Sequence, residues 1–98
     1  MTTGRAAMVQ IGATLERLAL ISEGQVVGDR RVVISDVHHD PRMVGPGELL
    51  VPLRDVGASI AAARDHGAAA VCVREEVPEA AIAQLVVGDV RSALALTA

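Results

Sequence analysis

Apolar and polar positions fall in short blocks along this chain, and each change of period marks an element. In "ATLERLALI" Leu15, Leu18 and Ala19 recur at helical spacing behind Thr14, whose hydroxyl suits a first turn, so the stretch predicts a short amphipathic helix. Ser22 to Gly28 is polar and glycine-containing and predicts a connection. "RRVVISDV" brings a β-branched run and predicts a strand over Val32 to Val37. In "VGPGELLVPL", Pro46 and Gly47 suit the two central positions of a type II turn, proline fixing φ at the first and glycine taking φ > 0 at the second. Leu49 to Leu53 then predicts a second strand, with Pro52 arguing for an edge or terminal position because it lacks a ladder donor.

The second half repeats this alternation. "GASIAAARDH" is alanine-rich and predicts a helix over Gly57 to His66, with Gly67 where a left-handed glycine would stop it. "AAAVCVRE" predicts a strand at Ala70 to Val73, and "VPEAAIAQ" a short helix with Pro78 in its first turn. Leu85 to Val87 reads as a further strand, and "DVRSALALTA" as a helix opened by Asp89. The expectation is an α/β fold, a small mixed β-sheet flanked by helices, in one domain spanning residues 1–98, with the Gly57 to His66 helix on one face. The chain shows no internal repeat or low-complexity tract.

Composition narrows the chemistry. Of 98 residues, 51% are apolar, yet Phe, Tyr and Trp are all absent, so the core must be built from Val, Leu, Ile, Ala and Met. No ring is present to stack a base, and a formal net charge of −3 gives no attraction to phosphate backbones, which argues against nucleic acid as a partner. Cys72 is the single cysteine, which excludes an intrachain disulfide and a multi-cysteine zinc site. Its apolar surroundings predict a buried, inert thiol. No window approaches a membrane span and no secretory signal is visible, so a cytoplasmic location is expected.

"SDVHHDPR" is the densest cluster of functional groups. On an extended strand Asp36, His38 and Asp40 share one face and His39 takes the other. A metal site needs three or four convergent ligands, and the remaining histidine, His66, ends a helix, so no metal is expected at Asp36, His38, His39 and Asp40. No serine or cysteine nucleophile is placed beside either histidine, so acid/base catalysis is not expected there.

Segment order adds a more specific reading. The run "VVISDVHHDPRMVGPGELLVPL", then "SIAAARDHGAAAVCVRE", then "LVVGDVRSALALTA", resembles the N-terminal domain of the Mur ligases. Those ATP-dependent enzymes add amino acids to UDP-N-acetylmuramoyl precursors of peptidoglycan. Asp40, Arg42, Pro46, Gly47, Leu49, Val51, Leu53, Gly67, Ala68, Asp89, Arg91, Ala93 and Leu94 fall in step with the family pattern, over residues 32–98. The resemblance is closest to the tripeptide-forming type. It implies a domain that docks the uridine diphosphate end of a muramoyl peptide, or another carboxylate substrate, through Asp40, Arg42, Arg54, Asp55 and Arg91, with Pro46, Gly47 and Gly67 specifying turns. Arginine is suited to the anion because a guanidinium offers a planar fork of donors, although each could equally pair with a surface carboxylate; for Arg42 the candidates are Asp40 and Asp89.

Two departures bear on that role. Pro41 stands where the family's Asp-Ser-Arg has serine, and can donate from neither a hydroxyl nor a backbone N–H. The loop from Leu53 to Asp55 is shorter than the family's by roughly four residues. The chain also contains no lysine, so the phosphate-loop lysine of the family's ATP site is not in it. The resemblance therefore implies no cofactor and no catalysis in this chain alone. ATP and Mg²⁺ would come with a central domain, of the same ligase or of a partner subunit, and neither that domain nor the C-terminal one is expected within these residues. The alternative is a free-standing, non-catalytic module that kept the fold, lost the ligand and serves oligomerisation or contact with a separate subunit.

Overall fold

Ala70, Val71, Cys72 and Val73 are all buried, which a strand achieves only when both faces of its sheet are covered. This strand is the middle one of a five-stranded sheet in a computed structural model that describes residues 12–89. In chain order the elements are β1 (Ala13–Thr14), α1 (Leu15–Ser22), β2 (Gln25–Val27), β3 (Val33–Ile34), β4 (Asp36–His38), β5 (Glu48–Leu50), α2 (Val56–Asp65), β6 (Ala70–Val73) and β7 (Ala83–Val86). The sheet runs β2-β7-β6-β5-β4. Its strands β4 to β7 are mutually parallel, and β2 joins β7 antiparallel, so the sheet is mixed as expected. A separate antiparallel ribbon pairs β1 with β3.

Alternation along the strands divides the core in two. On one face Leu49, Val51, Ala70, Cys72 and Leu85 meet Leu15, Leu18 and Ala19 of α1 together with Ile34. On the other, Leu50, Val71 and Val73 meet Ile60 and Ala63 of α2, with Val44 and Ala80. Each Leu or Val fully removed from water stabilises the fold by about 1.5 to 3 kcal/mol. The small Ala63, Ala70 and Cys72, all at 0% exposure, let the layers approach closely without aromatic filling.

Helix ends follow the sequence signals. Thr14 caps α1, its hydroxyl accepting the Arg17 N–H at 3.2 Å. At the other end Gly24 N–H reaches the Ala19 carbonyl and Glu23 N–H the Leu20 carbonyl, a Schellman closure in which Glu23, not glycine, takes φ +59°. The same closure ends α2, with Ala68 N–H on Ala63 O and Gly67 N–H on Arg64 O, and here Gly67 takes φ +81° as its position predicts. Pro46-Gly47 forms its turn, with Gly47 at φ +77° and Glu48 N–H on Gly45 O at 3.1 Å. The turn lies against the α2 cap, where Pro46 bridges Ala68.

Several expectations are corrected. The Ser22 to Gly28 connection contains β2, a strand of three residues whose only signal is its partner β7. The Val32 to Val37 strand is two strands, broken at Ser35, where both the N–H (2.7 Å) and the hydroxyl (2.9 Å) donate to the Gly47 carbonyl. Val33 and Ile34 pair with β1, whereas Asp36 to His38 pair with β5. The Leu49 to Leu53 strand stops sooner: Val51 N–H still reaches His38 O at 2.7 Å, and Pro52 has no N–H to continue. Pro52 thus lies past the end of the strand, the terminal alternative its missing N–H implied, while β5 itself is interior to the sheet.

"VPEAAIAQ" is not helical. A helix this short is marginal alone, and the buried amide of Gln84 competes by accepting from Val77 N–H at 2.8 Å and donating to Val77 O at 2.9 Å. The last strand accordingly begins at Ala83 rather than Leu85. The helix expected from Asp89 onward, with Arg91, Ala93 and Leu94, lies outside the described residues.

The α1 closure predicts opposite effects for two adjacent substitutions. Glu23→Gly removes a left-handed non-glycine residue and should stabilise by about 0.5 to 1 kcal/mol once glycine's larger unfolded-state entropy is subtracted. Gly24→Ala would set a Cβ 2.5 Å from Val86 O and 2.9 Å from Val87 Cγ1, and should cost about 1 to 3 kcal/mol. Urea midpoints at constant m-value measure both; a stabilising Gly24→Ala would contradict the packing.

Candidate functional site

β4 ends in a turn organised by Asp40. Its carboxylate accepts the Arg42 N–H at 2.9 Å, and its carbonyl accepts those of Met43 at 3.0 Å and Val44 at 3.2 Å. Pro41 has no N–H. The main-chain donors of residues 41–44 are thus committed to Asp40 or missing. The Arg42 guanidinium folds onto the same carboxylate, Nε to Oδ1 and Nη2 to Oδ2 both at 3.3 Å. These side-chain bonds, reinforced by the backbone bond, hold the Asp40 carboxyl below its ordinary range and raise Arg42 in turn.

Facing this corner is the start of α2. Asp55 precedes the helix at φ +48°, and its side chain makes no capping bond. The N–H groups of Val56, Gly57 and Ala58 have no intrahelical acceptor, while Ser59 N–H returns to Asp55 O at 2.9 Å. The Ser59 hydroxyl, almost buried, donates to Arg54 O at 3.1 Å and fixes the approach to the helix. Arg54 itself is exposed and makes no ion pair among the described residues.

Between corner and helix lies a cleft of ≈ 560 Å³ lined by His39, Asp40, Pro41, Arg42, Leu53, Arg54, Asp55, Ala58 and Ser59. It opens beyond the carboxyl ends of the adjacent parallel strands β4 and β5, where open α/β sheets receive ligands. Of the candidate residues, Asp40, Arg42, Arg54 and Asp55 meet in it, and Arg91 lies outside the described residues. Pro46, Gly47 and Gly67 stand apart from it, at the turn and cap where they act on the backbone. A larger cleft of ≈ 1070 Å³ sits beyond the ends of β5, β6 and β7, but its charged lining is Arg74 against Glu75, Glu76 and Asp89, a poor lining for an anion.

The histidine cluster is arranged differently from its strand-only reading. Asp40 turns away into the corner, and Glu48 comes beside Asp36 and His38 instead. Ser59, the first-turn amides of α2 and Glu48 were the groups the sequence did not single out, because their proximity exists only once β4 is registered on β5 and α2 is docked. Burial pushes the Cys72 thiol up to about 12, so it is no nucleophile. Among the described residues no helix is long and apolar enough to cross a membrane.

No protein-family model matches the sequence, and no curated protein does. Solved structures do. The chain is similar to the UDP-N-acetylmuramoylalanyl-D-glutamyl-2,6-diaminopimelate--D-alanyl-D-alanyl ligase of Acinetobacter baumannii, at 26% identity and TM-score 0.76 over 89% of this chain and 21% of that one. A crystal structure of MurF from the same organism aligns at 26% identity and TM-score 0.77, covering 89% of this chain and 20% of that one. A second MurF crystal structure aligns at 24% and TM-score 0.74, over 90% and 20%. The chain spans about a fifth of the length of these structures. The likeness supports a Mur ligase-like domain, in agreement with the sequence resemblance.

The Asp40–Arg42 pair predicts a measurable titration. Followed by carboxyl-carbon NMR, Asp40 should titrate below an ordinary aspartate, and Arg42→Ala should bring its midpoint upward. The folded value lies below the unfolded one, so what the pair contributes to stability is complete above the ordinary aspartate range and is lost as pH falls through the lower, folded value. An Asp40 midpoint unmoved by Arg42→Ala would contradict the assigned cause.

Proposed function

We propose that this chain is the substrate-docking domain of a Mur-type ATP-dependent amide-bond ligase, receiving the anionic end of a UDP-linked muramoyl peptide or a comparable carboxylate substrate. The observation that carries this reading is the cleft beyond β4 and β5, which gathers Arg42, Arg54 and the open first turn of α2. Helix N-terminal amides carry partial positive charge and suit a phosphate, and a neighbouring guanidinium adds a charge-assisted fork. Arg54 is the principal contact, because Arg42 is already engaged by Asp40. Asp40 shapes the corner, and Asp55 leaves the helix amides unblocked.

The chain supplies binding and orientation, not bond formation. With no lysine, it relies on a central domain, in the same polypeptide or a partner subunit, for the phosphate loop, ATP and Mg²⁺. The location that fits this role is the cytoplasm. For the amino acid added, the sequence resemblance is closest to the tripeptide-forming type, whereas one of the similar structures is named as a D-alanyl-D-alanyl ligase. A UDP-N-acetylmuramoyl group is common to both, so the docking role does not depend on the choice.

Pro41 weakens the site. Each hydrogen bond to a charged group contributes roughly 1.5 to 3 kcal/mol, or about one to two decades in affinity. UDP-N-acetylmuramoyl dipeptide should therefore bind this chain with a dissociation constant above about 1 mM. Its ¹H–¹⁵N shifts should centre on residues 54–59, Pro41→Ser should tighten it, and Arg54→Ala should weaken it about tenfold or more. Micromolar saturation by the unmodified protein would show that the missing serine and short loop do not matter. Shifts centred on Arg74 to Val77 would move the site to the other cleft, and none at saturating ligand would leave the fold without this role.

A further inference from the structure

Asp36 and Glu48 stand opposite each other in the parallel ladder of β4 and β5. Like charges in that relation repel across a sheet. Among the described residues no arginine is set between them: the arginine ion pairs are Arg30 with Glu16 and Arg42 with Asp40. The group within reach is the imidazole of His38, whose Nε2 lies 3.7 Å from Glu48 Oε1. Val37 packs into the α1-side core, so its neighbours Asp36 and His38 both turn to the opposite face, which Glu48 shares with Leu50.

One ligand atom from each of Asp36, His38 and Glu48 lies within 4.8 Å of the others. Bonds of about 2.0 to 2.2 Å to a common ion would need only small side-chain rotations from that spacing. Both carboxylates are already oriented by backbone donors, Asp36 Oδ1 by Val37 N–H and Glu48 Oε1 by Gly45 N–H, each at 2.8 Å. Carboxylates that ligate a metal are themselves held by hydrogen bonds of this kind. The side chains of His38 and Glu48 are 35% and 22% exposed, so the site is shielded yet open for further water ligands.

The geometry points to a site for one divalent transition ion, of the zinc class, held by Asp36, His38 and Glu48. An imidazole ligand favours zinc over magnesium or calcium, and the absence of sulfur from the set argues against the softest ions. Two carboxylates neutralise the double charge and lose their mutual repulsion. The ion would pin β4, a three-residue edge strand, to β5, just before the chain enters the Asp40 corner. The expectation of no metal counted ligands along one strand; strand register replaces Asp40 with Glu48. This inference does not depend on the nucleotide-docking reading.

Chelator-treated protein titrated with ZnCl₂ by calorimetry, with stoichiometry from native mass spectrometry, should bind one ion per chain, while MgCl₂ gives no comparable heat. His38→Ala and Glu48→Gln should each weaken binding at least about tenfold, and His66→Ala, at the far end of α2, should leave it unchanged. Glu48→Gln keeps an acceptor for the Gly45 N–H, and circular dichroism checks that each variant folds. For the unmodified chain, zinc should shift the His38 ring and the amides of Asp36, Gly45 and Glu48. No saturable zinc binding, undiminished binding by folded His38→Ala and Glu48→Gln, or shifts centred on His39 or His66 would each overturn the site and leave a simple imidazole–carboxylate contact.

Discussion

Two-sided burial of a narrow sheet, accomplished without one aromatic ring, is the constraint on which the rest of the molecule depends. β6 sends Ala70 and Cys72 to one helix layer and Val71 and Val73 to the other, and β5 divides Leu49 from Leu50 in the same way. With no large ring to bridge a gap, contact must come from many branched side chains at short range, and packing is lost quickly as layers separate. That is why Gly24 sits where a methyl group would strike Val86 and Val87, and why α2 brings alanine rather than leucine to part of its inner face. The turns and caps are secondary to this requirement: they deliver two helices to opposite faces at the right height.

Much of this organisation could be read from residue order. Thr14, the Pro46-Gly47 pair and Gly67 each act on their own backbone, and local signals of that kind survive folding unchanged. Ala70 to Val73 was legible because a short apolar run followed a glycine stop. Elements whose reason lies elsewhere in the chain were not. Gln25 to Val27 is a strand because β7 lies beside it, and residues 77–82 are irregular because one amide, that of Gln84, serves Val77 on both sides. The run from Val32 to Val37 looked continuous because its apolar pattern is continuous; the division at Ser35 comes from Gly47, which is distant in sequence.

Site residues divide along the same line. Asp40 and Arg42 are sequence neighbours and pair as neighbours, whereas their relation to Arg54 and Ser59 requires β4 and β5 to lie side by side with α2 beginning at their ends. The arrangement also separates shape from charge. Asp40 and Pro41 leave the main chain of residues 41–44 without a donor to offer, and Asp40 already engages Arg42, so attraction for an anion is strongest on the opposite wall, at Arg54 and the first turn of α2. A cleft built this way is rigid on one side and electrostatically active on the other.

The lone thiol gives the molecule an internal clock. Cys72 lies at the centre of the middle strand with no exposure and a strongly raised pKa, and a chain without Phe, Tyr or Trp has no intrinsic fluorophore to report on its interior. Its side chain packs on the α1 side of the sheet, so a labelling reagent reaches that sulfur when the packing on that side opens. The rate at which Cys72 is trapped therefore reports opening of that layer of the core under fully native conditions, in a protein that offers no intrinsic fluorescence.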